Sequence, residues 1–320
     1  MFLMDDHSPE HQLWKGQVQQ SGDIVAAPAG TNINMAVRHC LKHSEHGNKA
    51  ELTGKLEDRK GLNAGSFRWL ASGHKPANLR GGHQERVRWM DIEQTRFSHL
   101  MAAEAKAFVL LDRIEALGLI AAGRTERAVE TDIYDLAARE FGIEKHWHKR
   151  IVRAGINTLA TASDNPDVRV IADDDMVFLD LGPVFEEWEA DVGRSYAIGP
   201  DPRKQELCRA LSEQFEIVQK RFQADPEITG AALYEYACAA ARAAGWVFGG
   251  QIAGHIVGEF PHARLPGPKQ LNHISPENPD RLKDPDGLGR KRNWILEIHL
   301  VDPSGAFGGF YERLMVDKAD

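Results

Sequence analysis

Two segments in the C-terminal half each carry two acidic residues on either side of a turn, and they constrain the fold more than any other feature. In the first segment, an apolar run is broken at Gly182-Pro183 and a second run follows, which is a hairpin pattern. With the turn centred between residues 185 and 186, Asp180 lies opposite Asp191. Directly opposed like charges destabilise a sheet, so this hairpin is unfavourable unless something neutralises the pair.

The second segment repeats the pattern around an Asp-Pro-Ser-Gly turn at residues 302–305. Centring this turn between Ser304 and Gly305 places Glu297 opposite Glu312. A bulge at Gly308-Gly309 would shift the register by one residue. The sequence therefore predicts four carboxylates, in two opposed pairs, on two hairpins.

Carboxylates in an apolar sheet must be paired, protonated or coordinated to a cation. His255 lies between the two hairpins in the stretch Ala253-Gly-His-Ile-Val-Gly, where the glycines allow close backbone approach. Four carboxylates with one imidazole suit Mn²⁺, Fe²⁺, Co²⁺ or Zn²⁺, with Mn²⁺ favoured. They can hold two ions at a spacing of roughly 3.5–4 Å.

Four motifs carry a family resemblance: 178–182 with 191–194, 254–262, 296–299 and 309–314. Together they resemble the pita-bread metallopeptidases, which include methionine aminopeptidase, aminopeptidase P and prolidase (Xaa-Pro dipeptidase). The resemblance covers residues 92–317, and the family's ligand order Asp, Asp, His, Glu, Glu is complete. It implies an α+β fold in which two pseudo-duplicated helix-hairpin halves form one curved antiparallel sheet with helices on its outer face.

The resemblance also implies a role for each of the five ligands. Asp180 would bind one ion, His255 and Glu297 would bind the other, and Asp191 and Glu312 would bridge the two. The ions would lower the pKa of a bridging water and polarise the substrate carbonyl.

Three residues are implied to take part in catalysis by the same resemblance. Glu297 would move a proton from the water to the leaving group, and His262 would hydrogen-bond the carbonyl or the oxyanion. His148 lies where relatives build part of the substrate pocket.

The sequence departs from the family pattern at one position. Peptidases of this family usually carry a histidine shortly before the first aspartate ligand, and residues 161–172 contain none.

The resemblance implies a dinuclear aminopeptidase or dipeptidase that acts on short peptides or small amides, with Xaa-Pro specificity as one form. Two alternatives stay open. One is a metal-dependent enzyme of the same fold that acts on a non-peptide small molecule, and the other is a non-catalytic peptide- or protein-binding member.

Charge and composition bound the partners and the compartment. The chain of 320 residues has a net charge of −8; residues 1–90 carry +3, which leaves −11 for the remainder. An acidic catalytic body argues against nucleic acid as a substrate. No window approaches the roughly 18 apolar residues of a membrane span. The three cysteines and the lack of a secretory signal favour the cytoplasm, and a homodimer is an open expectation.

Two regions differ in regularity. Residues 1–90 are rich in Gly, His, Asn and Gln without helical or strand period, which predicts an irregular, partly disordered N-terminal segment. The catalytic domain is expected at residues 91–320. Its helices are predicted from Asp91 to about Gly118, over 125–142, over 203–222 and over 231–244.

Overall fold

The computed structural model describes residues 83–262 and 268–317, with side chains from Met90 onward. Its α-helices are α1 (His83–Ala116), α2 (Glu126–Phe141), α3 (Pro202–Ala224) and α4 (Gly230–Ala243). Helix α2 is capped at both ends: the Thr125 side chain accepts a hydrogen bond from the backbone N–H of Ala128, and Gly142 ends the helix at φ 65°. Within the described residues, none of the helices combines the length and apolar character that a bilayer span requires.

The strands are β1 (Ile151–Ala154), β2 (Met176–Leu181), β3 (Val184–Phe185), β4 (Trp188–Glu189), β5 (Val192–Ala197), β6 (Val247–Phe248), β7 (Ile256–Val257), β8 (Asn293–Val301) and β9 (Gly308–Leu314). One antiparallel sheet runs in the order β1-β2-β5-β9-β8-β6, with β7 also paired to β8. Strands β3 and β4 form a separate small hairpin between β2 and β5.

Two apolar cores lie between this sheet and its helices. Helices α1 and α2 pack on β1, β2 and β5, where Val177, Leu179 and Leu181 face them. Helices α3 and α4 pack on β8, where Leu296, Ile298 and Leu300 face them. Because side chains alternate along a strand, the residues between these positions point to the opposite face. The chain is thus an α+β pita-bread fold with two similar helix-hairpin halves.

A row of directly paired residues crosses the middle of the sheet on the helix-free face. Asp180 pairs with Gly193, Gly193 pairs with Glu312, and Glu312 pairs with Glu297. Asp191 lies two residues before Gly193 and therefore points to the same face. The fold brings all four acids together.

The predicted register was right for one hairpin and wrong for the other. Glu297 lies opposite Glu312 as expected, and the pairing continues to Val301 and Gly308 without a bulge. Asp180 faces Gly193 rather than Asp191. The physical reason is the β3–β4 hairpin, whose turn is centred between Glu186 and Glu187, one residue later than expected.

The first helix begins at His83, ahead of the expected domain boundary at residue 90. The prediction of an irregular segment at residues 1–90 was wrong for residues 83–90, which are helical, and its remainder lies outside the described residues. Residues 318–320 also lie outside them. The predicted organisation into an N-terminal segment and a catalytic domain stays a prediction.

Candidate metal centre

The five residues predicted as ligands converge on the helix-free face of the sheet. Asp180, Asp191, His255 and Glu312 are buried, and the Glu297 side chain is 17% exposed. The Nε2 atom of His255 lies 3.0 Å from Asp191 Oδ2, 3.6 Å from Glu297 Oε1 and 3.8 Å from Glu312 Oε1. The two hairpins and the intervening histidine therefore form one cluster.

His255 owes its position to the glycine before it. Gly254 has φ 134°, and a Cβ atom there would lie 2.0 Å from the carbonyl oxygen of Ile295. Only a glycine lets this segment approach β8 so closely. The backbone N–H groups of Ile295 and Glu297 then donate to the carbonyls of His255 and Ala253, which places His255 on the same face as Glu297.

His148 reaches the same cluster from the other side. Its Nε2 atom lies 3.2 Å from Asp191 Oδ1 and 3.4 Å from Asp180 Oδ1. Asp191 therefore contacts one histidine with each of its carboxylate oxygens. Two groups of ligand atoms result, one from His148, Asp180 and Asp191 and the other from Asp191, His255 and Glu312, with the atoms of each group within 4.8 Å of one another.

His262 lies beside the cluster and is held by a buried acid that the sequence did not indicate. Glu189 accepts hydrogen bonds from the backbone N–H and the ring Nδ1–H of His262. The ring stacks on His255 with a centroid distance of 5.8 Å. Trp147 contacts the rings of His148, His255 and His262 edge-on, at centroid distances of 4.4, 5.1 and 4.9 Å.

A groove of about 270 Å³ opens next to His262. Its lining residues are Arg96, 256–262, Asp286, Leu288 and 290–293. Basic side chains line one part together with Glu259 and Asp286, which both pair with Arg290, and Phe260, Pro261 and Leu288 supply apolar surface. The groove is small and mixed in character, which suits a short polar ligand.

Burial and mutual charge shift the pKa values of the cluster strongly. Burial raises the pKa of Asp180 to about 6 and that of Glu297 to about 7 against the opposing effect of the histidines. Burial and the charge of Asp191 raise the pKa of Glu312 well above its ordinary value. Burial alone would raise the pKa of Asp191, but hydrogen bonds from His148 and His255 outweigh it and lower that pKa.

The pKa values of His148 and His255 are raised, whereas burial ordinarily lowers the pKa of an imidazole. Burial would lower both pKa values, yet the charge of Asp180 beside His148 and the hydrogen bond from His255 to Asp191 outweigh it. Each pKa is raised to about 9. Protonation of these groups would offset the repulsion among the acids where no cation is bound.

The residues present fit divalent cations. The donors are carboxylate oxygens and imidazole nitrogens, the set that suits Mn²⁺, Fe²⁺, Co²⁺ and Zn²⁺. Glu312 Oε2 is buried and has no hydrogen-bond partner among the described residues. Because a buried carboxylate oxygen without a partner is costly, a cation at this place would satisfy it.

A family comparison covers the region that contains Asp180, Asp191 and His255. The family description "Metallopeptidase family M24" matches residues 96–286, more than half of the chain. The chain belongs to metallopeptidase family M24. No curated protein matches this family member in sequence.

Solved structures share the fold at low identity. A prolidase from Thermococcus sibiricus is 24% identical to this chain, with a TM-score of 0.50. The match covers 69% of this chain and 57% of the prolidase chain. An X-Pro aminopeptidase from Thermotoga maritima is 22% identical with a TM-score of 0.52, covering 71% and 62%. A methionine aminopeptidase from Rickettsia prowazekii is 13% identical with a TM-score of 0.52, covering 71% and 95%. This M24 chain thus matches about three fifths of the length of the first two enzymes.

Two residues of the site escaped the sequence analysis for different reasons. Glu189 is one of three glutamates within four residues, and only its burial separates it from Glu186 and Glu187. Gly182 was assigned to a turn, but a Cβ there would lie 2.2 Å from the ring of His148. The available signal for Glu189 was its spacing of two from Asp191, which places both on one strand face if the strand continues.

Proposed function

We propose that this M24 chain is a dinuclear metal-dependent hydrolase that acts on short peptides as an aminopeptidase or dipeptidase. Xaa-Pro specificity is one form of this activity. The observation that carries the proposal is the assembly of the family's Asp, Asp, His, Glu, Glu set around Asp191 on one face of the sheet. The burial of these acids next to one another has no other evident purpose, because like charges at such distances repel.

Each of the five residues receives a ligand role. Asp180 would hold one ion, His255 and Glu297 the other, and Asp191 and Glu312 would be shared. Two ions held there would lower the pKa of a water molecule and polarise the scissile carbonyl. Mn²⁺ is the first choice because the donor set is rich in oxygen.

Other residues of the chain would handle protons and the substrate. Glu297, the most exposed of the four acids, would accept the proton of the attacking water and deliver it to the leaving amine. His262 would donate a hydrogen bond to the carbonyl oxygen as negative charge develops there. Glu189 fixes the plane of its ring by bonding Nδ1 and the backbone N–H, which leaves Nε2 for the substrate.

The groove beside His262 supports a short substrate. Its volume is about 270 Å³, which suits a short peptide rather than a folded chain. Its arginine and lysine side chains would bind a carboxylate, and its apolar wall would contact a side chain or a proline ring. A small amide is an alternative substrate that the same hydrolytic reaction would cleave.

The experiment is hydrolysis of a peptide panel by protein reconstituted with Mn²⁺ or Co²⁺, with Asp191→Asn as the inactive control. The panel contains Xaa-Pro and Xaa-Ala dipeptides, their tripeptide extensions and N-acetylated versions. Release of the first residue from free peptides, lost on chelation, supports the proposal. Bound metal with no peptide cleavage would favour a non-peptide substrate, and the absence of bound metal would favour a binding protein.

A further inference from the structure

His148 mirrors His255 across Asp191. Its Nδ1–H donates to the carbonyl of Lys149 at 2.6 Å, as that of His255 donates to the carbonyl of Ile256 at 2.8 Å. In both residues Nε2 is then the nitrogen without a proton in the neutral ring, and it points at a carboxylate oxygen of Asp191. A backbone acceptor on the far nitrogen is the usual way in which a protein orients a histidine ligand.

The chain holds His148 in this position through its backbone. The N–H of Trp147 donates to the carbonyl of Gly182, and the N–H of Val184 donates to the carbonyl of Lys145. The segment before β1 therefore runs along the end of β2, close to Asp180. A Cβ on Gly182 would lie 2.2 Å from His148 Cδ2 and 2.4 Å from Nε2, so the ring occupies space that only glycine leaves free.

The spacing of the donor atoms is that of ligands around one ion. Two atoms each about 2.0–2.2 Å from an ion, at angles between a right angle and the tetrahedral angle, lie about 2.8–3.6 Å apart. His148 Nε2 lies 3.2 Å from Asp191 Oδ1 and 3.4 Å from Asp180 Oδ1. His255 Nε2 and Asp191 Oδ2 are 3.0 Å apart on the other side.

We propose that His148 is a sixth protein ligand, which binds the same ion as Asp180 and gives each ion of the pair its own histidine. This inference rests on the proposed dinuclear site and departs from the five-ligand set implied by the family resemblance. It predicts a site with two imidazoles for two ions. The ion beside Asp180 would be bound more tightly than by carboxylates alone.

The test is titration of the full-length metal-free protein with Co²⁺. Calorimetry measures the affinity of each binding event, and X-ray absorption spectroscopy counts the imidazole ligands. His148→Asn keeps a donor to the Lys149 carbonyl but lacks the Nε2 position. It should weaken one of the two binding events by at least about 100-fold and reduce the imidazole count from two per chain to one. His148→Gln, which offers an oxygen near the Nε2 position, should recover part of that affinity.

Two further variants separate ligation from folding. Gly182→Ala changes no donor atom, yet it should displace the His148 ring and weaken the same binding event. His99→Asn is the matched control, because His99 is exposed and stacks on Trp188 outside the cluster. It should bind two ions with unchanged constants.

The outcomes separate this inference from the proposed function. A wild-type protein that binds no ion overturns both. A wild-type protein that binds two ions, together with a His148→Asn variant that binds two with the same affinity and imidazole count, overturns only the sixth ligand. Loss of turnover in that variant with full metal content also overturns it, because His148 would then act on the substrate or on a proton.

Discussion

Glu189 accepts two hydrogen bonds from His262, one from the backbone N–H to Oε1 at 3.0 Å and one from the ring Nδ1–H to Oε2 at 2.6 Å. The acid is buried, with 1% of its surface exposed, and it lies two residues before Asp191. It therefore links the loop that carries His262 to the strand region that carries the candidate ligands. This pair makes the orientation of His262 dependent on a single carboxylate.

Replacing Glu189 with Gln should slow turnover without removing metal. The amide retains one acceptor but cannot accept both hydrogen bonds, so the ring of His262 loses its fixed plane. We expect kcat to fall by about 10–100-fold, with little change in KM or metal content. Glu187→Gln, on the exposed turn next to it, is the matched control, and steady-state kinetics with elemental analysis would show the difference. A Glu189→Gln variant with wild-type kcat would mean that the pair is only structural.

Glu312→Gln and Asp191→Asn should both abolish turnover and lower metal content while leaving the fold intact. Burial and the neighbouring acids raise the pKa of Glu312 well above its ordinary value, which favours the neutral carboxyl in the metal-free protein, so an amide of the same shape should cost little stability there. Thermal melting of the metal-free proteins and elemental analysis test both halves of this prediction. Near-normal kcat with excess Mn²⁺ or Co²⁺ would refute the ligand assignment.

Metal affinity should rise with pH between about 6 and 9. His148 and His255 have pKa values of about 9 and Glu297 about 7 without metal, so at pH 7 both histidines and part of Glu297 hold protons that an ion must displace. Lower pH adds protons and weakens binding, and higher pH removes them and strengthens it. Calorimetry in two buffers of different ionisation enthalpy measures the protons released. Binding heats that do not depend on the buffer would contradict the prediction.

Deleting residues 1–82, just ahead of α1, should leave a protein that still binds metal and turns over substrate. The candidate ligands and proton-handling residues lie between His148 and Glu312, and the groove residue Arg96 also follows the deleted segment. The irregular pattern of the N-terminal segment predicts no contribution to the sheet. Activity and metal content of the shortened chain, compared with the full chain, provide the measurement. An insoluble product or the loss of metal-dependent activity would show that the segment completes the domain.

Turn chemistry explains which parts of the site the sequence could predict. The Asp-Pro-Ser-Gly turn fixes its own centre, and the register of Glu297 and Glu312 followed from it. The turn between β3 and β4 has glutamates at its centre, and Glu186 adopts φ 60°, which is rare outside glycine. Nothing in the sequence marked that position, so the predicted centre was one residue early and the register two residues wrong.

The error in the register did not change which acids were predicted to share a face, because side chains alternate along a strand with a period of two residues. A slip of two residues returns every side chain to the same face, whereas a slip of one reverses all of them. Asp180 and Asp191 were therefore predicted on the correct face with the wrong partners. Strand and helix periodicity could not predict the position of His148. This residue lies in an irregular segment whose path depends on hydrogen bonds to residues 182–184.

Gly193, which lies between Asp180 and Glu312 in the row across the sheet, also sets how closely the two hairpins can approach. A Cβ atom at position 193 would lie 2.6 Å from Cδ1 of the Phe310 ring and 3.0 Å from the Cβ atom of Glu312. Any larger residue would force β5 away from β9 or displace the Phe310 ring. The missing side chain is therefore what lets the acids of one hairpin lie beside the acids of the other.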